Sequence, residues 1–355
     1  MALFFFKAEN FRLFKSIELN LHPKNNLLYG ENASGKTSVL EAIAYLGRGR
    51  SFRNTTPTGI VRRGAENFLV FGKTNTQHNE TTIGVINGRN GFESSVNGDH
   101  ERGLGGLAKA LPLQVIDPNI HKLIDGTPEE RRRFIDWAVF HVEPQYLKEW
   151  RAYKRALKQR NAILKNNPAS KELENWNKSL SERGELVNTM RRNVFEVLEP
   201  IISEISTDFL GDYIKFNYEP GWPEGESLYN CLQRNQNRDI QLKSTQIGPH
   251  RANISISCNS GLAKAQISRG QQKLLSCAMV LASIELVQTH TERSLLLLLD
   301  DPTAELDARS TKKLMRQIIS TDAQIIATSI APNKQLFQDD VHLFQVKHGK
   351  LKKTN

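Results

Sequence analysis

Cysteine is scarce in this 355-residue chain, and its three copies are scattered. Cys231, Cys258 and Cys277 include no CxxC pair. A thiolate zinc site needs closely spaced pairs, and a disulfide framework needs more cysteines in a shorter chain. Neither kind of site is expected, and the scarcity fits a reducing cytosol.

Signals for export or membrane insertion are also missing. The opening MALFFFKAENF has neither a basic segment nor a small-residue cleavage site, so residues 3–6 are interpreted as a buried first strand. The apolar run at 295–299 is far shorter than the ~20 residues that cross a bilayer. We expect a soluble, cytoplasmic protein with no membrane partner.

Positive charge, in contrast, is in excess. Lys and Arg number 48 against 38 Asp and Glu, for a formal net charge of +10. This excess favours a polyanionic partner, because basic side chains release condensed counterions when they neutralise phosphates. A solvated basic surface is the alternative. No zinc-finger, aromatic RNA-binding or recognition-helix signature is present, so base-specific readout is not expected.

The chain is long enough for two domains, or for one large domain with an insertion. Short apolar runs between turn residues predict strands at 27–29, 68–71, 81–86, 213–218 and 254–257, and a helix over 38–44.

From about residue 128, an apolar spacing of alternating three and four predicts a short coiled-coil hairpin. The predicted seam of the longer arm is Leu173, Trp176, Leu180, Val187, Met190, Val194, Val197 and Ile201, with Arg183 in one apolar slot. The partner arm would use Trp150, Tyr153, Leu157 and Leu164, with the turn at 166–168.

The segment GENASGKT at 30–37 matches G-x-x-x-x-G-K-[ST] between a predicted strand and a predicted helix, the context that this phosphate-binding loop requires. The predicted ATP-binding residues are Gly30, Glu31, Asn32, Ala33, Ser34, Gly35, Lys36 and Thr37. Backbone N–H groups and the helix N-terminus would hold the phosphates. Lys36 would reach the β- and γ-phosphates, and Thr37 would ligate Mg²⁺. A glycine-rich turn without a ligand is the alternative.

A buried strand that ends in carboxylates should supply the second half of a nucleotide site. The leucines at 295–299, followed by Asp300 and Asp301, suit a parallel strand buried on both faces, whereas a buried helix is the alternative for the leucines alone. We predict that Asp300 belongs to the Mg²⁺ shell and that Asp301 is the general base. Lys36 completes the predicted catalytic set.

A second candidate phosphate-binding helix start is SRGQQ at 268–272. With the segment 302–307, it resembles the signature and D-loop motifs of ABC-type ATPases. The resemblance implies a homodimer bridged by ATP, in which Ser268, Gly270 and Gln271 of one subunit meet the nucleotide held by the other. It also makes Asp307 a candidate ATP-binding residue. An ordinary capped helix is the alternative for SRGQQ.

Further blocks follow in order along nearly the whole chain: NFR at 10–12, GRSFR at 49–53, GTP at 126–128, RRRFID at 131–136 and GPHR at 248–251. Together they resemble the bacterial RecF family of recombination and replication-repair proteins. The resemblance implies an α/β fold, an ABC-type P-loop ATPase head related to SMC heads, with an inserted α-helical subdomain. Arg12, in the first block, becomes a candidate ATP-binding residue. The predicted domains are 1–127, the N-terminal part of the head with Walker A; 128–205, the helical arm; and 206–355, the C-terminal part with signature, Walker B and D-loop.

The family resemblance also implies a function. Such a protein would be a slow, DNA-stimulated ATPase that dimerises on ATP and binds double-stranded, gapped or junction DNA without sequence specificity. With RecO and RecR partners it would help load recombinase and support fork recovery and SOS induction. A soluble ATPase subunit of an ABC transporter is the alternative, and a dimerisation module that binds ATP without turnover is the third.

Some positions depart from the superfamily pattern. Asp301 stands where Glu is commoner, which is consistent with slow turnover. The segment 326–330 has no switch histidine, so Thr328 or Ser329 would contact the γ-phosphate only weakly. Gln114 and Asn119 are both candidates for the Q-loop.

Basic clusters supply the candidate DNA contacts. Arg151, Lys154, Arg155 and Lys158 share one face of a predicted helix by their three-and-four spacing. The remaining candidates in basic clusters are Arg48, Arg50, Arg53, Arg131, Arg132, Arg133 and Arg160. A solvated helix face is the alternative for each cluster.

Overall fold

The computed structural model describes residues 1–53, 56–75, 79–89, 91–101, 103–211, 213–258, 261–334, 337, 340–347 and 349–354. The chain forms two compact units, which we call the head unit (Met1–Ile120 with Glu292–Asn355) and the arm unit (His121–Thr291). These units divide the chain at other residues than the predicted domains 1–127, 128–205 and 206–355, which remain a prediction.

Both units combine helices with strands. The first segment of the head unit contains β1 (Ala2–Phe11), β2 (Phe14–Asn20), β3 (Asn25–Tyr29), α1 (Lys36–Arg48), α2 (Pro57–Ile60), β4 (Asn67–Asn75), β5 (Glu80–Gly88), β6 (Gly91–Val96), β7 (Asp99–His100), α3 (Leu104–Ala110) and β8 (Leu113–Ile116). The arm unit contains α4 (Lys122–Asp125), α5 (Pro128–Val142), α6 (Tyr146–Asn166), α7 (Glu172–Leu210), β9 (Ile214–Glu219), α8 (Leu228–Arg234), α9 (Gln236–Leu242), a 3₁₀ turn (Pro249–Arg251), β10 (Asn253–Cys258), β11 (Gly261–Leu262), α10 (Ala263–Gln266) and α11 (Arg269–Thr291). The second head segment contains β12 (Leu296–Leu299), α12 (Ala308–Ser320), β13 (Gln324–Ser329), β14 (Val341–Lys347) and β15 (Lys350–Thr354).

Two six-stranded sheets build the head unit. One is antiparallel, in the order β2-β1-β4-β5-β6-β7. The other has the order β15-β14-β3-β13-β12-β8 and is parallel except for the β14–β15 hairpin. Helix α1 is buried from residue 38 to 47, and its apolar side chains join a core with side chains from both sheets. The predicted strands at 27–29, 68–71 and 81–86 and the helix over 38–44 are confirmed.

The leucine run forms a strand, not a helix: four of the five leucines make up β12, and Leu295 directly precedes it. All four residues of β12 are buried, and the strand pairs in parallel with β8 on one side and β13 on the other. A central parallel strand is covered on both faces, which explains why its sequence is continuously apolar. This confirms the strand predicted to precede Asp300.

The arm unit contains the predicted helical hairpin, made of α6 and α7, and a three-stranded sheet in the order β11-β10-β9. The predicted strands at 213–218 and 254–257 fall in β9 and β10. Helix α11 is long and apolar enough to cross a membrane by length and composition, but 72% of its apolar window is buried in the structure. It packs against α5 and α7, as a core helix does.

Half of the predicted α7 seam is wrong. Leu173, Leu180, Val187 and Val194 are buried as predicted, but Val197 is 56% exposed, and Trp176, Met190 and Ile201 are only half-buried. At the other seam positions, the buried residue is the one that follows the predicted residue in the chain. These buried residues are Asn177, Gly184, Arg191, Leu198 and Ile202. The reason is that polar side chains occupy two of them with partners. Arg160 donates to Asn177 Oδ1 over 2.7 Å, and Arg191 forms a 2.7 Å ion pair with Asp136.

Candidate functional site

Three neighbouring parallel strands of the head unit end at one edge of the sheet. β3 runs into the glycine-rich loop, β12 runs into Asp300 and Asp301, and β13 lies between them and ends at Ser329. The Gly30 N–H donates to the Ser329 carbonyl over 3.3 Å, which fastens the start of the loop to β13. This edge is where open α/β sheets bind their ligands.

Backbone packing explains both glycines of the loop. A Cβ atom on Gly30 would lie 2.3 Å from the Val346 carbonyl oxygen. Gly35 has φ of +111°, and a Cβ atom there would lie 2.8 Å from the Phe14 ring. Larger residues are excluded by sterics at both positions and by φ at Gly35. Between them, Glu31, Asn32 and Ala33 lie exposed at the loop tip.

Polar groups of the loop and of α1 converge on this edge. The Lys36 ammonium donates to the carbonyls of Gly30 (2.6 Å) and Glu31 (2.8 Å). Burial lowers the pKa of Lys36, and the negative charges of Asp300 and Asp301 oppose that shift. The hydroxyl of Ser34 is buried and has no described hydrogen-bond partner. An inward donor of this kind fits a phosphate oxygen.

Asp300 lies at the centre of a hydroxyl cluster. Its Oδ1 accepts from Thr37 Oγ1 and from Thr328 Oγ1, both over 2.9 Å. The residue is 7% exposed, and burial raises the pKa of its carboxyl, whereas the two hydroxyl hydrogen bonds lower it. The predicted Thr37–Asp300 pair is therefore close enough to share one cation.

Thr328 holds the second carboxylate residue as well. Its hydroxyl accepts from the Asp301 N–H over 2.9 Å. Asp301 has φ of +49°, a left-handed conformation that is unfavourable for a residue with a side chain. Thr328 is 2% exposed, and its hydroxyl is hydrogen-bonded to both residues that follow β12, Asp300 and Asp301. In this structure Thr328 holds the Asp300 carboxylate and the Asp301 backbone together, a role that its place in the sequence did not predict.

Arg12 lies beside α1 and fixes a buried carboxylate. Its guanidinium donates two hydrogen bonds to Glu41, over 2.9 and 2.8 Å, and one to the Gly59 carbonyl over 2.8 Å. Glu41 is fully buried and also accepts from Ser51 over 2.5 Å. This cluster anchors the helix that follows the glycine-rich loop. A Glu inside the apolar stretch of α1 is the sequence signal that could have revealed it.

The two Q-loop candidates occupy different places. Gln114 is buried in the middle of β8, opposite Leu297, and its side-chain oxygen accepts from Arg48 over 3.2 Å. Asn119 is exposed beyond the end of β8, and its backbone N–H donates to Asp117. Since β8 and β12 are parallel, Asn119 is the candidate on the same sheet edge as Asp300.

The second helix start is capped by its own side chains. The Ser268 hydroxyl accepts from the Gln271 N–H over 3.3 Å, and Gln271 Oε1 accepts from the Ser268 N–H over 2.9 Å. This reciprocal pair is a capping box. Ser268 is exposed and Gly270 half-buried, so the start of α11 is accessible from outside the subunit. Asp307 likewise caps α12, accepting from Ser310 N over 2.9 Å.

The basic clusters separate into exposed and structural cations. The exposed candidates are Arg50, Arg53, Arg151, Lys154, Arg155 and Lys158. Arg131 and Arg160 are buried, and Arg133 pairs with Glu129 and Glu130. Arg160 forms a 2.7 Å ion pair with the fully buried Asp239, so including it in an exposed basic cluster was wrong.

The donor set fits a nucleotide and Mg²⁺. Among the described residues, no group of three or more His, Cys, Asp or Glu could hold a metal by itself. Mg²⁺ at nucleotide sites uses one or two protein oxygens and takes its other ligands from phosphates and water. Thr37 and Asp300 supply such oxygens, and the Ser34 hydroxyl and Lys36 ammonium lie on the loop that would face the phosphates.

Comparisons with known proteins cover nearly the whole chain. The family described as the RecF/RecN/SMC N terminal domain matches residues 3–354. The DNA replication and repair protein RecF of Shewanella woodyi is 36% identical over 334 residues, which cover 94% of this chain and 92% of that protein. Its counterpart in Haemophilus ducreyi is 36% identical over 350 residues, covering 97% of each chain.

Solved structures give the same result. The recombination mediator protein RecF-ATP in the RecFOR pathway has a TM-score of 0.90 at 26% identity, covering 100% of this chain and 98% of that one. The Smc head domain from Pyrococcus furiosus has a TM-score of 0.62 at 16% identity, covering 99% and 96%, and shows likeness of fold alone. The predicted fold class, an ABC-type ATPase head with helical content, is confirmed.

Proposed function

The chain belongs to the bacterial RecF family, and on that premise we propose that it is an ATP-dependent DNA-binding protein of recombinational repair. ATP would bind at the glycine-rich loop with Mg²⁺, dimerise the protein and enable it to bind gapped or junction DNA. Slow hydrolysis, stimulated by DNA, would release the complex. The same proposal includes RecO and RecR proteins as partners. With them, the protein would help to load recombinase and would support SOS induction.

The observation that carries the proposal is the cluster of Thr37, Asp300 and Thr328 at the end of β3, β12 and β13. Thr37 and Asp300 would hold Mg²⁺, and Lys36 would move from the loop carbonyls to the β- and γ-phosphates. Bound Mg²⁺ neutralises charge that develops on the transferred phosphoryl group. Asp301 would accept a proton from the attacking water, with its backbone held by the N–H bond to Thr328.

The start of α11 would complete the site of a second copy of the chain. Ser268 is exposed while its hydroxyl caps the helix, so the N-terminal turn is already formed before a nucleotide arrives. Helix N-termini favour anions through unpaired N–H groups and the helix dipole. A head-to-head dimer would place two such starts on two nucleotides.

The experiment is sedimentation of wild type, Lys36→Met, Ser268→Arg and Ser268→Asn, each with and without ATP and gapped duplex DNA. Asn keeps an N-cap acceptor, so Ser268→Asn is the control that changes residue 268 but preserves the helix cap. We expect wild type and Ser268→Asn to dimerise on ATP and to bind DNA, whereas the other two variants stay monomeric. Normal dimers of Ser268→Arg would refute the role of α11, and normal dimers of Lys36→Met would refute the role of ATP.

A further inference from the structure

The GPHR block is held by an unusual number of polar contacts that the nucleotide site does not use. We define the GPHR loop as residues 245–252 of the arm unit. Arg191 of α7, fully buried, donates to the Pro249 carbonyl over 2.7 Å. Arg132 of α5 donates to the Ala252 carbonyl over 2.8 Å. Arg160 of α6 donates to the Thr245 hydroxyl over 2.7 Å. Three helices thus fix both ends and the middle of the loop.

His250 is fastened in one tautomer. Its Nε2 lies 3.0 Å from the Thr245 carbonyl, which can only accept, so Nε2 carries the proton. Nδ1 therefore accepts from the Tyr153 hydroxyl over 2.6 Å. Gly248, with φ of +124°, lets the backbone pass Tyr153, because a Cβ atom there would lie 2.8 Å from its hydroxyl. These contacts hold the His250 ring and the backbone of the loop on both sides of it.

This rigid loop brings cations together. Arg251 and Lys154 are exposed, Arg132 is half-buried, and the positive charge of each lowers the pKa of His250. Arg251 also lowers the pKa of Arg132. The Lys154 ammonium is held 5.7 Å above the Trp150 ring. Neither Arg251 nor Lys154 forms an ion pair with a described carboxylate; Arg251 donates instead to the neutral Gln246 over 3.0 Å.

Like charges in a fixed arrangement repel one another, and a bound polyanion removes that cost. The cluster continues along the exposed face of α6 through Arg151, Arg155 and Lys158. We propose that the GPHR loop and this face of α6 form one surface that binds the phosphate backbone of nucleic acid, with Arg251 and Lys154 at its centre. The proposal rests on the proposed DNA-binding function and assigns it to a surface.

A row of cations on a helix and a preformed loop suits a backbone, which presents many phosphates in succession, better than a single free phosphate. The test is binding of a short fluorescein-labelled gapped duplex at several salt concentrations with ATP present. The variants are Arg251→Ala, Lys154→Ala, their double mutant and Arg251→Lys. The matched control is Lys171→Ala, which removes the same charge in the turn before α7; this turn lies beyond the end of α6, which is itself ~18 Å along the helix from Lys154.

We expect each single alanine variant to weaken binding about fivefold and to reduce the slope of log affinity against log salt by about 1, with about twice that slope change in the double mutant. Arg251→Lys should keep the slope, and Lys171→Ala should match wild type. At constant ionic strength, excess inorganic phosphate should not displace the duplex. ATP hydrolysis without DNA should not change in any variant.

The outcomes separate the two proposals. If wild type does not bind the duplex, the proposed DNA-binding function is wrong. If wild type binds and the Arg251 and Lys154 variants behave like Lys171→Ala, the surface is assigned wrongly. Displacement by inorganic phosphate alone would show a small-anion site and would overturn the backbone assignment.

Discussion

Replacing Thr328 by Val should slow ATP hydrolysis while ATP binding stays nearly unchanged. Val has almost the shape of Thr, so the buried site keeps its packing, and only the hydroxyl is lost. That hydroxyl makes two hydrogen bonds of 2.9 Å, one to Asp300 Oδ1 and one from the Asp301 N–H. The variant therefore tests whether one side chain holds both the Asp300 carboxylate and the Asp301 backbone in place.

The size of the rate loss follows from the Asp300 carboxylate and the Asp301 N–H, which lose a hydrogen-bond partner in Thr328→Val. A buried donor or acceptor that loses its partner costs about 1–3 kcal/mol. Asp301 is already in a left-handed conformation that costs about 1–2 kcal/mol, so it is the residue that should move when its N–H is released. A displacement on the order of 1 Å in a catalytic group lowers the rate about 100-fold. The phosphate contacts of the glycine-rich loop do not involve Thr328, so the Kd for ATP should change less than about threefold.

The assay is single-turnover phosphate release at saturating ATP, together with equilibrium binding of a fluorescent ATP analogue. Thr328→Ser keeps the hydroxyl and is the matched control, with hydrolysis expected near the wild-type rate. The pH profile adds an independent readout. Since the Thr328 hydrogen bond lowers the pKa of Asp300, its loss should raise that pKa and move the acid limb of the rate to higher pH. Wild-type rate and pH profile in folded Thr328→Val would refute the reasoning.

Three further predictions concern stability and are each read from chemical or thermal unfolding. Asp239→Ala should lower the free energy of unfolding by about 3–5 kcal/mol, because it leaves the fully buried Arg160 without its charge partner, whereas Glu9→Ala, which breaks an exposed pair, should cost about 0–1 kcal/mol. A loss below that of Glu9→Ala would mean that Arg160 is not held by Asp239. Glu41→Gln should cost about 3 kcal/mol, because the bidentate ion pair with Arg12 is lost in a buried place; a neutral result would contradict the anchoring role of Arg12. Burial lowers the pKa of His250 to about 4, so the unfolded chain binds its proton first as pH falls below about 6.5. Wild type should therefore lose about 3 kcal/mol between pH 6.5 and 4 that His250→Gln does not lose, and parallel pH dependence would contradict this.

The nucleotide site could be predicted from sequence because its parts are local. The glycine-rich loop is one continuous segment of sequence. The strand that precedes the carboxylates is recognisable because an apolar run is followed directly by Asp300 and Asp301. The parallel order β3-β13-β12 then brings the loop and the carboxylates together. Thr328 could be placed near this edge by its position in β13. Its role could not be predicted, because a β-branched residue in a buried strand is ordinary.

Polar side chains that are buried with a partner cannot be predicted from apolar periodicity. Apolar periodicity treats Arg and Asn as outward-facing, so the seam of α7 was assigned to Trp176, Met190 and Val197. The structure instead turns Asn177 and Arg191 inward, where Arg160 donates to Asn177 Oδ1 and Asp136 pairs with Arg191, whereas Asn177 Nδ2 has no described hydrogen-bond partner. A buried charge is tolerated only with such a partner, and the partner can lie anywhere in the chain.

The partners of the GPHR block could not be predicted from the sequence either, so its exposed cations could not be told from its buried ones. In the sequence, GPHR is one of the blocks that carry the family resemblance, and a solvated face is the alternative for the arginines of α5. In the structure, the His250 ring is bonded to Tyr153 and Thr245, and Arg132 donates to the loop backbone, so Arg251 is the side chain left at the surface. Burial decides which cations stabilise the fold and which are available to a ligand. Burial in turn depends on partners that here lie up to 120 residues away in the chain.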